Sequence, residues 1–288
     1  MLLHNDMKVY CCQLDIAWED KHANFGKVQR LLERESIPAG SLVLLPEMSF
    51  TGFSMDVSKI AEGEPEVTDS FLQTVATRHG IYLIAGLVTQ DSAGRGRNEA
   101  VYVTPEGDIS GRFRKLHLFS PADENIFYHP GSNVVSFDWQ GVSVTPFICY
   151  DLRFPEVFRA AIDMGSELCV VIANWPSSRE QHWVTLLQAR AIENQAFVAG
   201  VNRCGSDPRN EYPGRSLIIS PTGEILAEGA GEETFIGSDL NWAALRHYRE
   251  CFPVLAHRRR DLGIHAWPTP RANDPFTNAC DRLSPQQS

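Results

Sequence analysis

The 288-residue chain has no long apolar run and no excess of positive charge. No stretch approaches the roughly eighteen apolar residues that a membrane-spanning helix needs. Its 26 Lys and Arg against 36 Asp and Glu give a formal net charge of −10, which disfavours nucleic acid or an anionic membrane as a partner. Residues 1–7 lack the basic start and apolar core of a signal peptide. We therefore expect a cytoplasmic protein with no nucleic-acid and no membrane partner.

Cysteine and histidine are present but form none of the common ligand patterns. The seven cysteines are odd in number and show no CxxC pair, and the nine histidines show no HExxH motif. A disulfide framework would need paired, regularly spaced cysteines, and a zinc site would need such local spacing. The sequence therefore predicts no metal site and no disulfide framework.

Strand-like and helix-like segments alternate along most of the chain. The predicted strands are residues 9–14, 42–45, 82–88, 98–104, 108–114, 134–139, 142–148, 168–173, 197–202, 216–220, 224–228 and 234–240. The predicted helices are residues 22–34, 67–78, 157–164 and 179–195. Pro-Glu-Gly at 105–107 and Pro-Thr-Gly at 221–223 indicate hairpin turns. Hairpins combined with strand–helix–strand crossovers predict an α/β fold with mixed sheets covered by helices.

The periodic pattern ends near residue 262. The chain is long enough for one large domain, and its 43% hydrophobic and 22% charged residues are ordinary for a globular protein. Prolines at 268, 270 and 275 interrupt the final segment. We predict one domain over residues 1–262 and an irregular C-terminal tail over residues 263–288.

Glu47 directly follows an apolar strand in the segment LVLLPEMSFTGF, residues 42–53. Active-site residues of layered α/β folds collect at the carboxyl ends of strands. A carboxyl group in apolar surroundings is suited to exchange protons near neutral pH. The alternative for an isolated case is a solvated loop glutamate.

Lys115 lies between apolar neighbours in FRKLHLF, residues 113–119, directly after a predicted strand. Its ammonium group cannot reach water easily and is expected to point into a pocket with acidic partners. There it could stabilise negative charge on a reacting oxygen or nitrogen. Taken alone, a surface lysine is the more common interpretation.

Cys149 lies at a strand-to-helix corner in FICYDLRFPE, residues 147–156. Pro155 can open a helix at its first turn, where a missing N–H has no consequence. The thiol then projects beside free backbone N–H groups that can hold an oxyanion. The alternative is a small buried apolar residue.

These three segments, in the order Glu47, Lys115, Cys149, resemble the nitrilase superfamily of carbon–nitrogen hydrolases, and the resemblance runs from about residue 8 to about residue 262. The motifs LPEM with TGF, KLHLF, CYDLRFP and NWP, and the segment 182–203 containing ARAIEN, are similar to the omega-amidase branch. The resemblance implies a four-layer α-β-β-α sandwich of two mixed sheets covered by helices. It also implies hydrolysis of the terminal amide of short dicarboxylic acid monoamides, such as 2-oxoglutaramate.

The resemblance further implies a thioester mechanism. Glu47 takes the proton of Cys149, whose thiolate attacks the amide carbon. Lys115 and the backbone N–H of Tyr150 hold the tetrahedral oxygen. Glu124 corresponds to a second glutamate of the family, which supports the lysine and the substrate. No metal or organic cofactor is called for.

The substrate carboxylate needs a cation or a set of N–H donors. Arg153 can grip a carboxylate in two places. The competing interpretation, slightly favoured, pairs Arg153 with Asp151 or Glu156 and gives it a structural role. The remaining substrate-binding positions are assigned to the pocket wall: Tyr150, Trp175 and Phe53.

Other functions share the same residues. Amidases for deaminated glutathione, N-carbamoyl amide hydrolases and true nitrilases all carry the Glu, Lys and Cys. A catalytically silent binding protein on this scaffold, or a metal or redox sensor, belongs to a different class. Since family members commonly dimerise through their helical layers, we expect a homodimer with each active site complete within one chain.

Overall fold

Two six-stranded sheets stand face to face between two layers of helices. The structure is a computed structural model and describes residues 7–63, 66–259 and 261. The strands are β1 Lys8–Gln13, β2 Leu42–Leu44, β3 Tyr82–Gln90, β4 Gly96–Val103, β5 Ile109–Arg114, β6 Phe137–Trp139, β7 Val142–Ile148, β8 Leu168–Ala173, β9 Phe197–Asn202, β10 Cys204–Ser206, β11 Glu211–Pro213, β12 Leu217–Ile219, β13 Ile225–Glu228 and β14 Thr234–Asp239. The helices are α1 Lys21–Arg34, α2 Val57–Ile60, α3 Val67–His79, α4 Glu124–Phe127, α5 Pro155–Asp163, α6 Glu180–Asn194 and α7 Trp242–Cys251.

Each sheet has three parallel strands at its centre and antiparallel strands beside them. The first sheet has the order β14-β1-β2-β3-β4-β5, in which β1, β2 and β3 are parallel. The second has the order β13-β12-β9-β8-β7-β6, in which β7, β8 and β9 are parallel. Strands β10 and β11 form a separate short hairpin. The carboxyl ends of the parallel strands carry the loops that build the site described below.

Alternating side chains of the central strands join the layers. Leu42 and Leu44 of β2 belong to the core between the two sheets, whereas Val43 and the following Leu45 pack into the core under α1 and α3. Successive residues of a strand point to opposite faces, so a strand that is apolar on both faces must be covered on both. The continuous apolar runs of the sequence therefore correspond to strands in the middle of a layered structure.

Amphipathic helices close the two outer faces. Helices α1 and α3 cover the first sheet, and α5 and α6 cover the second. The buried helical side chains recur at spacings of three and four residues, which place them on one face: Phe25, Val28 and Leu32 in α1, Leu72, Val75 and Ala76 in α3, Phe158 and Ala161 in α5, and Trp183, Leu187 and Ala191 in α6. The predicted α-β-β-α sandwich of two mixed sheets is confirmed.

The differences from the predicted elements are local. Residues 134–136 precede β6 without strand structure, and a 3₁₀ turn at Ser177–Arg179 comes before α6. The sequence interpretation missed α2, α4, α7 and the β10–β11 hairpin. The predicted tail over residues 263–288 lies outside the described residues. None of the described helices is long and apolar enough to cross a membrane.

Candidate active site

Glu47 occupies a tight corner after β2 and is completely buried. Strand β3 holds this corner through two backbone hydrogen bonds: the N–H of Gly86 donates to Pro46 O at 3.1 Å, and the N–H of Ser49 donates to Gly86 O at 2.9 Å. A Cβ atom at position 86 would lie 2.4 Å from the backbone nitrogen of Met48. Only a glycine at position 86 allows β3 to approach the corner so closely. This close packing holds the backbone of Glu47 in one position.

Lys115 extends from the end of β5 to two buried glutamates. Its Nζ lies 2.8 Å from Oε1 of Glu47, and 3.0 and 2.9 Å from Oε1 and Oε2 of Glu124. All three side chains have no exposed surface. The structure thus brings together three of the sequence-predicted site residues that are up to 77 positions apart, from 47 to 124.

The charges of this cluster depend on one another. Burial disfavours the ammonium form of Lys115, but the charges of Glu124 and Glu47 outweigh it and raise the pKa of Lys115. Burial raises the pKa of Glu124, and the charge of Lys115 opposes that shift. Lys115 therefore remains an ammonium ion at neutral pH, held between two carboxyl groups.

Asn98, Asn174 and Phe119 complete the hydrogen bonds of the two glutamates. The amide nitrogen of Asn98 donates to Oε1 of Glu47 at 2.7 Å and to Oε1 of Glu124 at 2.9 Å. The backbone N–H of Asn174 donates to Oε2 of Glu47 at 2.9 Å, and that of Phe119 donates to Oε2 of Glu124 at 2.6 Å. Sequence reasoning assigned no role to these residues, and Asn98, which lies between Arg97 and Glu99, gave no local signal.

Cys149 follows β7 in an unusual backbone conformation. Its φ of 47° lies in the left-handed region. Residues other than glycine rarely adopt this backbone conformation, and it is common at functional sites. Burial, and then the negative charge of Glu47, raise the pKa of the thiol well above its ordinary value. The resting group is a neutral thiol, and an adjacent base must take its proton before it can attack.

Asp151 joins the corner of Cys149 to the loop of Lys115. Its buried carboxylate accepts hydrogen bonds from the backbone N–H of Ile148 at 3.1 Å and of His117 at 2.8 Å, and contacts the His117 ring Nδ1 at 2.8 Å. The pairing expected between Arg153 and Asp151 is therefore wrong, because the carboxylate already has these partners. Arg153 forms no ion pair with Glu156 either, both residues being in the described part of the chain.

A cavity of about 300 Å³ opens beside these groups. Cys149, Glu47 and Lys115 line it together with the four residues assigned to substrate binding: Phe53, Tyr150, Arg153 and Trp175. The guanidinium carbon of Arg153 lies 4.7 Å from the ring centre of Trp175. Glu124 is not part of the wall and reaches the cavity only through Lys115.

A second arginine that the sequence interpretation missed, Arg179, faces the same cavity. Its guanidinium carbon lies 5.4 Å from the ring centre of Phe119. Burial, and the nearby charge of Arg179, lower the pKa of Arg153. Among the ion pairs of the described residues, neither guanidinium has a carboxylate partner. Two arginines that repel each other in one cavity form a site suited to an anion.

Metal ligation is not indicated by the side chains that the structure describes. Within residues 7–63, 66–259 and 261, no group of three or more His, Cys, Asp or Glu side chains is arranged to hold a metal ion.

Comparisons with known protein sequences identify a family and similar relatives. The family model of the carbon–nitrogen hydrolases matches residues 8–250. The 2-oxoglutaramate amidase of Bacillus subtilis (strain 168) is 38% identical over 255 residues, which cover 88% of this chain and 98% of the relative. The omega-amidase YafV of Escherichia coli (strain K12) is 39% identical over 250 residues, which cover 86% of this chain and 95% of the relative.

Solved structures resemble the chain over nearly their whole length. A CN-hydrolase superfamily protein of Xanthomonas campestris, with an arsenic adduct in its active site, has 33% identity and a TM-score of 0.83, covering 89% of this chain and 98% of its own. Nit3 of Saccharomyces cerevisiae, a member of branch 10 of the nitrilase superfamily, has 26% identity and a TM-score of 0.81, with the same coverage.

The buried cluster makes a prediction about stability. Lys115→Met should lower the free energy of unfolding by about 3–5 kcal/mol at neutral pH, because it leaves two buried carboxyl groups without a cation. The loss should be smaller at pH 5 than at pH 8, since protonation of Glu124 removes uncompensated charge. Urea unfolding monitored by circular dichroism measures both values.

A double variant provides the control for this measurement. Adding Glu124→Gln to Lys115→Met should recover part of the lost stability, because one buried charge is gone. If Lys115→Met lowers the free energy of unfolding by less than about 1 kcal/mol, a value typical of exposed ion pairs, then water reaches the cluster and the prediction is wrong.

Proposed function

The chain belongs to the carbon–nitrogen hydrolase family, and from this membership we propose that it hydrolyses the terminal amide of short dicarboxylic acid monoamides, such as 2-oxoglutaramate, to the acid and ammonia. One observation carries the proposal. Cys149, Glu47 and Lys115 line the same cavity as Arg153 and Arg179, two arginines without a carboxylate partner in the described chain. A short linear molecule with an amide at one end and a carboxylate at the other matches both sets of groups.

The reaction begins with a proton transfer from Cys149 to Glu47. The thiol is neutral at rest, and a neutral thiol is a weak nucleophile. Once substrate is bound, Glu47 takes the proton while the sulfur attacks the amide carbon. The negative charge passes from the carboxylate to the sulfur and then to the carbonyl oxygen. Lys115 lies 2.8 Å from Glu47 and stays beside the moving charge.

Lys115 and the backbone N–H of Tyr150 stabilise the tetrahedral oxygen. Glu124 keeps the ammonium in place through its contacts at 2.9 and 3.0 Å. Removal of one oxyanion donor typically slows an acyl transfer about 10²–10³-fold. The two glutamates thus have different roles: Glu47 carries protons, and Glu124 positions the lysine.

The intermediate collapses with ammonia as the leaving group. Glu47 gives its proton to the amide nitrogen, the carbon–nitrogen bond breaks, and the acyl group remains on Cys149 as a thioester. Glu47, again a carboxylate, takes a proton from water while the water oxygen attacks the thioester. The acid is released and the proton returns to the thiol, so that each cycle consumes one water and produces one ammonia.

Arg153 and Arg179 bind the free carboxylate of the substrate. A guanidinium group can donate two parallel hydrogen bonds to a carboxylate. Arg153 lies against Trp175 and Arg179 against Phe119, so that aromatic faces hold both cations in the cavity. With Phe53 and Tyr150, these rings form the apolar wall along the short carbon chain.

The assembly that we propose is a homodimer. Met164, Ile192 and Phe252 are each at least 52% exposed at or near the ends of α5, α6 and α7. The side chain of Gln195 donates to Phe252 O at 2.8 Å, which places the end of α7 beside the end of α6. A second copy seated on this outer layer would cover these apolar side chains. Glu47, Lys115, Glu124 and Cys149 all come from one chain, so each site is complete without the partner.

Variants of Cys149 test the covalent mechanism. Cys149→Ala should abolish ammonia release while leaving the fold intact, and Cys149→Ser should be nearly as inactive, because a hydroxyl is far harder to deprotonate. Intact-mass spectra of acid-quenched wild-type enzyme should show the acyl adduct, and both variants should lack it. Cys251→Ala, which removes an exposed thiol, is the control and should keep full activity. Substantial turnover by Cys149→Ala would contradict a thioester route.

Variants of the arginines test the substrate class. Arg153→Gln and Arg179→Gln should each lower kcat/KM for 2-oxoglutaramate and succinamate about 10–100-fold, the effect of a lost hydrogen bond to a charged group. The kcat/KM for butyramide, which has no carboxylate, should change less than about threefold. Ammonia release from the three amides measures the difference. An equal loss on charged and neutral amides would mean that the arginines support the fold rather than the substrate.

The assembly is tested by light scattering over a dilution series. A homodimer should keep twice the chain mass at micromolar concentration, and Ile192→Glu should shift it to the monomer because a charge would be buried at the interface. A monomer mass for the wild type, with full activity, would show that the dimer is neither stable nor needed.

A further inference from the structure

Asn98 is a buried polar residue near the start of β4. It lies on β4, between β3 and β5, and has no exposed surface. Ala100 and Tyr102, at alternate positions of the same strand, belong to the core between the sheets. Its backbone oxygen accepts the N–H of Lys115 at 2.9 Å. The strand therefore fixes both the start of the Lys115 side chain and the amide of Asn98 in one place.

The side chains of Asn98 and Lys115 close a ring with the two glutamates. The amide nitrogen of Asn98 and Nζ of Lys115 each contact both Oε1 of Glu47 and Oε1 of Glu124, at distances between 2.7 and 3.0 Å. The amide orientation follows from these partners, because the opposite orientation would set an oxygen against two acceptors. One charged and one neutral donor thus bridge the same two atoms.

The hydrogen bonds of this ring determine which carboxylate oxygen of Glu47 can accept a proton. A carboxylate oxygen has two lone pairs, and those of Oε1 are both occupied, by Lys115 and by Asn98. Oε2 accepts one hydrogen bond, from the backbone N–H of Asn174. The Cys149 sulfur lies 4.0 Å from the backbone oxygen of Asn174. The free lone pair of Glu47 is therefore on the oxygen beside Asn174, on the side of the nucleophile.

The donor at position 98 is neutral, and its neutrality matters. Two carboxyl groups share one ammonium ion in this cluster, so the groups together carry one negative charge. A second cation at position 98 would cancel the charge with which Glu47 attracts the proton of the thiol. An amide holds the carboxylates in place by hydrogen bonds and leaves that charge available.

The oxygen of the Asn98 amide is evidence against a purely structural role. Within the described part of the chain it has no hydrogen-bond partner, although it is buried. A buried acceptor without a donor destabilises a protein. An asparagine retained only to satisfy core polar groups would use both ends of its amide, whereas this one uses only the end that faces the glutamates.

We propose that Asn98 is a positioning residue of the amidase reaction, which orients Glu47 so that Oε2 receives the proton of Cys149 and which holds Glu124 against Lys115. This inference rests on the proposed function and deepens it. Asn98 does not touch the substrate; it acts through the two glutamates.

The test compares Asn98→Ala with wild type and with a matched control. Asn98→Ala should lower kcat for 2-oxoglutaramate about 10²-fold, since a small displacement of a catalytic group has an effect of that size. The KM should change less than about threefold, because the arginines are untouched. Asn24→Ala is the control: Asn24 is equally buried and bonds Ala17 and Phe50, so it should lose stability but keep its kcat.

The pH dependence gives a readout that a structural role would not change. Burial raises the pKa of Glu124, and the hydrogen bond from Asn98 opposes that rise. Lys115, Glu47, Cys149 and Tyr128 are the other titratable groups that interact with Glu124. Loss of the bond lets Glu124 protonate at a higher pH. The acid limb of kcat should therefore move to higher pH in Asn98→Ala and stay in place in Asn24→Ala.

Asn98→Asp is the second variant, because it keeps the side-chain volume but replaces both donors by a carboxyl group. Its kcat should fall at least as far as that of Asn98→Ala. A kcat within threefold of wild type in either folded variant, with the acid limb unmoved, overturns the inference. So does loss of the folded circular dichroism signal in both variants while Asn24→Ala remains folded. If the wild-type protein releases no ammonia from any amide, the proposed function is wrong, and the inference that rests on it is wrong as well.

Discussion

The whole site depends on one ammonium group, that of Lys115, which lies without solvent between Glu47 and Glu124. Charges buried in this way are stable only as a set, since removal of one leaves the others uncompensated. The set draws together the corner after β2, the end of β5 and the short helix α4. It also contributes to the state of the nucleophile, because burial, and then the negative charge of Glu47, raise the pKa of the Cys149 thiol.

The fold was predictable where a segment is long and its apolar pattern is clear. Strands such as β2 and β8, apolar on both faces, required cover on both sides, and helices such as α1 showed one apolar face. The resemblance to the nitrilase superfamily, now confirmed, supplied the four-layer arrangement that periodicity alone left open. Helices α2 and α4 have four residues each and strands β10 and β11 three, which is too short for any period to be visible.

The site was predictable in part for the same reason. Cys149 directly follows β7, Glu47 lies three residues past the end of β2, and Lys115 follows a hairpin, so their positions come from local sequence. The role of Asn98 was not predictable, because it depends on which side chains from distant loops come to lie opposite β4. The expected pairing of Arg153 with Asp151 failed since two neighbours in sequence were taken as neighbours in space. Backbone N–H groups of Ile148 and His117 occupy that carboxylate instead.

The pairing of β14 with β1 has a consequence for how the chain is made. Residues 8–13 pair with residues 234–239, so β1 finds its antiparallel neighbour only after more than two hundred further residues have been added. Until then one edge of β1 has unsatisfied backbone groups, a surface open to wrong pairing. The second sheet is synthesised entirely within that interval. Closure of the first sheet is therefore a late event in biosynthesis, and a nascent chain cut before residue 234 keeps that edge open.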